Sequence, residues 1–121
     1  MAKHIKRRRL ELRLYQRQVA DIIGVRVGTI YNWERGVEPE LIHMPAIIRF
    51  LGYNPLPIPQ ADDPLAQLRH YKTSNGMDFI RLGETMSKSH EQLADWLSGR
   101  HKPFRKSLDK IRAFLKSNGY G

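Results

Sequence analysis

Histidine, arginine and lysine are the residues of this chain with the most chemistry to offer near neutral pH. The five histidines are scattered, and no two have the spacing of metal ligands: they are His4, His43, His70, His90 and His101. No nucleophile is accompanied by a base and an orienting residue, and no glycine-rich loop would cradle a phosphate. The sequence therefore predicts no catalytic, metal or cofactor site.

A large excess of positive charge indicates a different kind of partner. Lys and Arg number 21 against 12 acidic residues, which gives a formal net charge of +9. This balance is typical of proteins that bind polyanions such as nucleic acids. Cysteine is absent, which excludes disulfides and thiolate metal sites and favours a reducing compartment.

The sequence shows no pattern of export or of membrane insertion. The basic start, residues 1–9, continues into charged residues where the apolar part of a signal peptide would follow. The most apolar stretch, residues 41–51, is interrupted by His43, Pro45 and Arg49 and falls short of the roughly 20 residues that span a bilayer. We therefore expect a soluble, cytoplasmic protein.

A proline-rich segment divides the chain. Four prolines lie between Asn54 and Pro64, where they remove hydrogen-bond donors and favour extended backbone. On both sides apolar residues recur at helical spacing, without the alternation of a strand. We predict an all-α fold with a first domain at residues 1–53, a linker at 54–64 and a second domain at 65–121.

The two halves resemble each other when one is shifted by 63 residues. Both tryptophans then fall on one position, and the other pairs are mainly apolar or small. These pairs are Ile5 with Leu68, Val19 with Leu82, Ala20 with Gly83, Ile23 with Met86, Ile30 with Leu93 and Gly36 with Gly99. After a one-residue insertion, Pro39, Ile47, Phe50 and Leu51 pair with Pro103, Ile111, Phe114 and Leu115. The repeat predicts two helical units with a common core.

The first helix of the first unit is predicted to combine an apolar side with a strongly basic one. Ile5, Leu12 and Leu14 would face inward. The basic cluster comprises Lys6, Arg7, Arg8, Arg9 and Arg13. We interpret this cluster as a solvated or phosphate-facing surface in preference to a nuclear-localisation run.

Residues 16–36 have the pattern of two short helices that cross steeply. Gln16 opens the first, Ala20 is small where the helices would touch, and Gly24 can end the helix in a left-handed conformation. Ile30 and Trp33 would seat the second helix on the core. With Ile-Gly-Val at the turn and Thr-Ile followed by Trp-Glu-Arg-Gly, the segment resembles the xenobiotic-response-element family of helix-turn-helix regulators. The resemblance covers residues 5–52.

The resemblance implies a lambda-repressor-like bundle whose second crossing helix enters the major groove of DNA. The DNA-contacting residues implied on that helix are Arg26, Val27, Gly28, Thr29, Tyr31 and Asn32. Phosphate contacts would be made by Gln16, Arg17 and Arg35. Arg26 could pair with guanine and Asn32 with adenine, while Val27 could touch a thymine methyl.

Two departures from the family pattern affect the start of this helix. Arg26 stands where a Ser or Thr commonly caps it, which typically costs about 1 kcal/mol. Gly28 lowers the helix propensity but lets the backbone approach DNA closely. We expect the helix start to be mobile until DNA is bound.

The second unit keeps the apolar framework but changes the exposed residues. Ser89-His90-Glu91-Gln92 is a capping-box pattern for the start of its second crossing helix. Ser89, His90 and Glu91 stand at the positions that match the candidate reading residues of the first unit. Phe79, Ser87 and Leu97 replace the opening Gln, the turn Gly and the Glu after Trp. Arg100 and Lys102 are candidates for phosphate contacts. The unit would either read DNA itself or serve in packing, dimerisation or partner binding.

The sequence as a whole predicts binding of double-stranded DNA by a transcriptional regulator, most simply a repressor. The alternative is a DNA-binding adaptor or an antitoxin-like accessory subunit whose second unit holds a protein partner. A homodimer is possible but not required, because the 11-residue linker can extend to roughly 40 Å. That length is comparable with the roughly 34 Å between half-sites one helical turn apart.

Overall fold

Helices form all the regular structure of residues 1–120, which are the residues that this computed structural model describes. No strand occurs among them, so the prediction of an all-α fold is confirmed. The chain divides into two compact units, Met1–Pro55 and Leu56–Gly121. Within residues 1–120, no helix is long and apolar enough to cross a bilayer.

The first unit consists of four α-helices and a short 3-10 turn. They are α1 (Ala2–Glu11), α2 (Gln16–Ile23), α3 (Val27–Glu34), the 3-10 turn Leu41–His43 and α4 (Met44–Leu51). Their apolar stripes meet in a core of Ile5, Val19, Ala20, Ile30, Trp33, Met44, Ile47, Phe50 and Leu51. Gly24 ends α2 at φ +90°, a left-handed conformation that suits glycine, and so allows the sharp turn into α3.

The first helix is shorter than its hydrophobic pattern suggests. It ends at Glu11, and the backbone then turns through Arg13, which has a left-handed φ of 56°. Leu12 lies beyond the helix with 43% of its surface exposed, and Leu14 is only half-buried. The prediction that Leu12 and Leu14 form the inward side of α1 is wrong. Arginine has no particular preference for this conformation, so the sequence carried no sign of the turn.

The second unit also contains four main helices. They are α5 (Pro64–Ser74), α6 (Phe79–Met86), α7 (His90–Ser98) and α8 (Arg105–Ser117). Residues 54–63 are not helical, and Pro64 is already the first residue of α5, which the side chain of Asp63 caps. The core consists of Leu68, Tyr71, Leu82, Leu93, Trp96, Leu97, Ile111 and Leu115. The paired residues Ile5 and Leu68, Val19 and Leu82, and Ile30 and Leu93 are all fully buried.

The turn between α6 and α7 is strained by its serine, and this gives a first testable consequence. Ser87 occupies the place that corresponds to Gly24 and adopts a left-handed conformation with φ 55° and ψ 45°. A residue with a Cβ pays roughly 1–2 kcal/mol for that conformation. We expect Ser87→Gly to stabilise the second unit by about 1 kcal/mol, after allowance for the greater freedom of glycine in the unfolded chain.

Thermal unfolding can measure this effect in each unit separately, because each unit has one tryptophan. A Trp33→Phe background leaves Trp96 as the only indole, so its fluorescence follows the second unit. The control is Gly24→Ser in a Trp96→Phe background, where no atom obstructs a Cβ but φ is +90°, so a loss of similar size is expected. Equal melting temperatures for wild type and Ser87→Gly would show that the turn stores no strain.

Candidate nucleic-acid interface

The start of α3 is open to an incoming ligand. Arg26 precedes the helix in extended conformation, its side chain makes no capping hydrogen bond, and the first turn holds no acidic residue. The N-terminus of a helix carries partial positive charge on backbone N–H groups, which favours an anion there. The prediction that Arg26 leaves the start of α3 without a side-chain cap is therefore confirmed.

The exposed side of α3 holds most of the candidate DNA-contacting residues. Arg26, Val27, Gly28, Tyr31 and Asn32 are exposed, whereas Thr29 is half-buried. Ile30 and Trp33 face the opposite way into the core. A Cβ added at Gly28 would meet no atom within 4 Å, so packing within the protein does not require glycine at this position.

Tyr31 and Arg35 form a pair on the same side of α3. The Nη1 of Arg35 donates a hydrogen bond of 2.9 Å to the hydroxyl of Tyr31, and the guanidinium lies 5.3 Å from the ring centroid. Spacing of four residues in a helix brings these side chains together. Tyr31 therefore holds the charge of Arg35 close to the helix surface.

The start of α2 brings a second arginine to the protein surface. Arg17 is exposed, and its guanidinium lies 5.2 Å from the ring centroid of Tyr15. Tyr15 itself is 67% exposed and directly precedes α2, and its N–H donates a hydrogen bond to the side chain of Gln18. Tyr15 is not among the predicted contact residues, although an aromatic residue two positions before an arginine is a signal that the sequence carries.

Gln16 is held within the protein and is not free at the surface. It is half-buried, and its Nε2 donates a hydrogen bond of 3.3 Å to Oε1 of Glu34 at the end of α3. The contact joins the start of α2 to the end of α3. A phosphate contact through Gln16 would have to share this amide with Glu34.

Arg9 anchors the same corner of the unit by an ion pair with two hydrogen bonds. Its Nε and Nη2 donate to the two carboxylate oxygens of Glu34 at 2.7 and 2.9 Å, and its Nη1 donates to the carbonyl of Leu14 at 3.1 Å. The side chains of Arg9 and Glu34 are only 14% and 5% exposed. The prediction that Arg9 belongs to a solvated or phosphate-facing surface is therefore wrong.

The pKa values of the pair follow from this geometry. Burial acts to raise the pKa of Glu34, but hydrogen bonds from Arg9 and Gln16 and the nearby positive charge outweigh it, so that pKa is lowered. The hydrogen bond to Glu34 raises the pKa of Arg9. Both groups are therefore ionised across the physiological range.

The rest of the basic cluster is divided between structural contacts and the surface. Arg8 donates a hydrogen bond of 3.2 Å to the carbonyl of Phe50 in α4. Lys6, Arg7 and Arg13 are exposed, in keeping with a solvated or phosphate-facing surface. Only part of the predicted basic surface is therefore available to a ligand.

The corresponding positions in the second unit carry a different electrostatic pattern. Ser89 caps α7 by accepting a hydrogen bond of 3.4 Å from the N–H of Gln92, and His90 and Glu91 are exposed. Asp95, on the same helix, lies 3.4 Å from both Nη1 of Arg100 and Nδ1 of His101. Arg100 is thus paired within the unit although its side chain is 73% exposed, and Lys102 is exposed as well.

The start of α6 differs from that of α2 in a way that disfavours phosphate. The carboxylate of Asp78 accepts a hydrogen bond of 2.7 Å from the N–H of Arg81, so an acidic group already occupies the helix end. Phe79 stands in place of Gln16. Because like charges repel, the start of α6 disfavours an anion.

No group of three or more His, Asp or Glu residues in the part of the chain that the structure describes could hold a metal ion. A family model described as helix-turn-helix matches residues 5–58. The comparisons with curated proteins and with solved structures give no match.

Proposed function

We propose that this protein binds double-stranded DNA sequence-specifically through α3, because residues 5–58 match the helix-turn-helix family model and such proteins bind DNA and regulate transcription. The simplest regulatory outcome is repression by occlusion of a promoter. Such a protein would act in the cytoplasm, where bacterial or phage DNA is found.

The observation that carries the proposal is the exposed side of α3. It combines an uncapped start, a glycine with open space around it and two hydrogen-bonding side chains, Arg26 and Asn32. Arg26 would pair with a guanine and Asn32 with an adenine, and Val27 would contact a thymine methyl. Gly28 would allow the backbone to approach the bases closely, with Thr29 and Tyr31 beside it.

Phosphates on either side of the groove would be held by residues at the edges of this surface. Arg17 and Arg35 are exposed, and each guanidinium lies against a tyrosine ring, which limits the conformations that the arginine must give up on binding. Gln16 would contribute through the amide that it shares with Glu34. These contacts would fix the orientation of α3 without reading sequence.

Selection from a random duplex library tests the proposal. Three forms of the full chain are compared, namely wild type, Asn32→Ala and Arg17→Ala. Asn32→Ala should lose discrimination at one base pair by about 1–3 kcal/mol. Arg17→Ala should weaken binding to all sequences alike and reduce the slope of log affinity against log salt by about 1. Arg49→Ala, an exposed arginine on α4, is the matched control and should change neither property. An unchanged preferred sequence for Asn32→Ala would show that α3 is not the reading helix.

We further propose that residues 65–121 are a diverged second helix-turn-helix unit, joined by residues 54–64. Its candidate DNA contacts are Ser89, His90, Glu91, Arg100 and Lys102. A two-part selected motif would support reading by both units. The alternative, an adaptor or antitoxin-like subunit that holds a protein partner or a second copy, is favoured by the carboxylates of Glu91 and Asp95 on α7. A short motif that matches one unit would support that alternative.

A further inference from the structure

A groove lies in the second unit between the proline-rich segment and α5. Residues 56–59 form one wall, and Ala66, Arg69, His70 and Thr73 of α5 form the other. These four residues share one side of the helix, because they are spaced by three or four positions. The volume of the groove is about 320 Å³. Sites for small molecules typically measure roughly 300–1,000 Å³, so the groove is large enough for a small ligand.

The groove is formed before any ligand binds. The Nε2 of the buried Gln67 donates a hydrogen bond of 3.2 Å to the carbonyl of Ala61, and the side chain of Asp63 caps the start of α5. These bonds tie the end of the segment to the helix. Pro57 and Pro59 restrict the backbone before it, since their rings fix φ. A ligand that enters a preformed site needs to order little of the protein.

The walls of the groove suit an apolar ligand. Leu56 and Ile58 contribute aliphatic side chains, and 92% of the surface of Ile58 is exposed. Pro57 and Pro59 bring no N–H group to the wall that they form. Ala66 is small, so the helix side does not fill the groove. Covering these side chains removes apolar surface from water, which favours a ligand with an apolar body.

Arg69 brings a positive charge to the groove. Among the residues that the structure describes, none that lines the groove is acidic, so this charge is not neutralised from within it. The Nη2 of Arg69 donates a hydrogen bond of 2.7 Å to the carbonyl of Leu97. That bond fixes the guanidinium and leaves its other N–H groups as donors for a carboxylate.

His70 adds a neutral donor beside the arginine. Its Nδ1 lies 2.6 Å from the hydroxyl oxygen of Tyr120, and the two rings meet edge to face. Burial lowers the pKa of His70, so the imidazole is neutral near pH 7. With Nδ1 accepting from the hydroxyl, the ring proton is on Nε2, which can donate a hydrogen bond. Arg69 is then the one full positive charge among the described lining residues.

We infer that this groove binds a small organic acid that has one carboxylate and an apolar body. The carboxylate pairs with the guanidinium of Arg69, and the apolar body covers Ile58 and the proline wall. One positive charge in the lining matches one negative charge on the ligand. Because residues 54–64 join the two units, a ligand held against both walls also restricts the linker. The inference goes beyond the proposed function and does not require either unit to bind DNA.

Calorimetric titration of the full chain near pH 7 tests the inference with 3-phenylpropionate and its uncharged counterpart, 3-phenylpropanamide. The acid should bind with a Kd on the order of 1 mM or lower, as expected of a ligand with few heavy atoms. The amide should bind about tenfold more weakly, because it lacks the charge-assisted hydrogen bonds to Arg69. Absence of binding by the acid, or equal binding of acid and amide, would overturn the inference.

Arg69→Gln tests the ion pair, and Arg81→Gln is the matched control, because Arg81 is exposed on α6 and does not line the groove. Arg69→Gln should weaken binding of the acid roughly tenfold and leave the amide almost unchanged. Arg81→Gln should alter neither affinity. An equal loss for acid and amide in Arg69→Gln would mean that Arg69 supports the fold of the unit and does not hold the carboxylate.

Ala66→Leu tests the location of the site. Leucine would fill the groove from the side of α5, and it is a good helix former, so the helix should persist in circular dichroism. Binding of both compounds should be lost. Undiminished binding at unchanged helix content would place the ligand elsewhere and overturn the inference.

A second copy of the chain is the competing occupant of the groove. Sedimentation at low and high protein concentration distinguishes it from the acid. A chain that stays monomeric leaves the groove open to the acid, as inferred. If the chain instead self-associates, Ile58→Ala abolishes the association and 3-phenylpropionate does not compete with it, the groove is an interface between copies and the inference is wrong.

Discussion

Replacing Glu34 by alanine should unfold most of the first unit at room temperature. The substitution leaves the guanidinium of Arg9, whose side chain is 14% exposed, with the carbonyl of Leu14 as its remaining partner. Removal of one member of a buried ion pair typically costs about 3–5 kcal/mol. A unit of this size has only a few kcal/mol of stability in total, so the expected fall in melting temperature is roughly 15 °C or more.

A second ion pair in α1 provides the matched control. Arg8 and Glu11 approach to 3.9 Å, but their side chains are 35% and 56% exposed. Exposed pairs contribute little, so Glu11→Ala should change stability by less than about 0.5 kcal/mol. Trp33 fluorescence in a Trp96→Phe background follows the first unit alone. A shift of the same size for Glu34→Ala and Glu11→Ala would show that the buried pair does not hold the unit together.

Acid should weaken the first unit through the same carboxylate. The pKa of Glu34 is lower in the folded chain than its usual 4.5, so the stabilisation is fully present above pH 4.5 and is lost as pH falls through the folded value. Glu34→Gln keeps hydrogen-bonding groups but removes the charge. Below pH 4.5 the difference in stability between wild type and Glu34→Gln should therefore shrink, and a constant difference would assign the pH dependence to other groups.

The burial of Arg9 could have been predicted from the sequence, because its helical spacing from Ile5 indicates it. Ile5 is fully buried, and residues three and four positions later in a helix share its side, which are Arg8 and Arg9. Residues 6–9 are all basic, and composition alone predicts that all four side chains are exposed to solvent. Composition therefore does not distinguish the two residues that face the core side of α1 from the two that do not. The side chains of Lys6 and Arg7 are exposed.

The partners of Arg9 could not be predicted from any local pattern. Glu34 lies 25 residues away and Gln16 lies 18 residues from Glu34, so only the packing of α1, α2 and α3 brings the three together. In contrast, the burial of Trp33 and the left-handed turn at Gly24 were predictable, because apolar spacing and turn glycines are visible in a short stretch of sequence. The sequence also gave no sign that Arg13 adopts a left-handed conformation.

The positions of the ion-pair cluster are occupied differently in the second unit. With the shift of 63 residues, Arg9, Gln16 and Glu34 correspond to Lys72, Phe79 and Leu97. Leu97 is buried, and the Nζ of Lys72 lies 4.5 Å from the ring centroid of Phe79. A buried carboxylate without hydrogen-bonding partners would be costly, which accords with the apolar counterparts of both Gln16 and Glu34, while the basic position is kept as Lys72 against an aromatic ring. An Arg9→Met/Glu34→Leu double variant should accordingly recover part of the stability that Glu34→Ala loses.

Gly83→Ala should destabilise the second unit by about 2 kcal/mol, although alanine is the better helix former. Gly83 is buried where α6 meets the turn before α7, and a Cβ there would lie 2.7 Å from the carbonyl oxygen of Lys88 and 3.2 Å from the nitrogen of His90. Both atoms belong to the backbone, so relief requires α6 and the turn to separate. Forcing one extra carbon into such packing costs about 1–3 kcal/mol or more, which exceeds the roughly 1 kcal/mol gained in helix propensity.

The same substitution elsewhere in the chain should have the opposite effect, which makes Gly28→Ala the matched control. Gly28 also lies within a helix, but a Cβ there meets nothing within 4 Å, so alanine should stabilise the first unit by up to about 1 kcal/mol. Ala20, which corresponds to Gly83, already carries a Cβ in the core, so the α2–α3 crossing accommodates a methyl group that α6–α7 does not. Melting curves followed by Trp96 for Gly83→Ala and by Trp33 for Gly28→Ala measure the two shifts. If Gly83→Ala stabilised the second unit, an added Cβ would lie further than 2.7 Å from the carbonyl oxygen of Lys88. The α6–α7 crossing would then accommodate a methyl group as the α2–α3 crossing does.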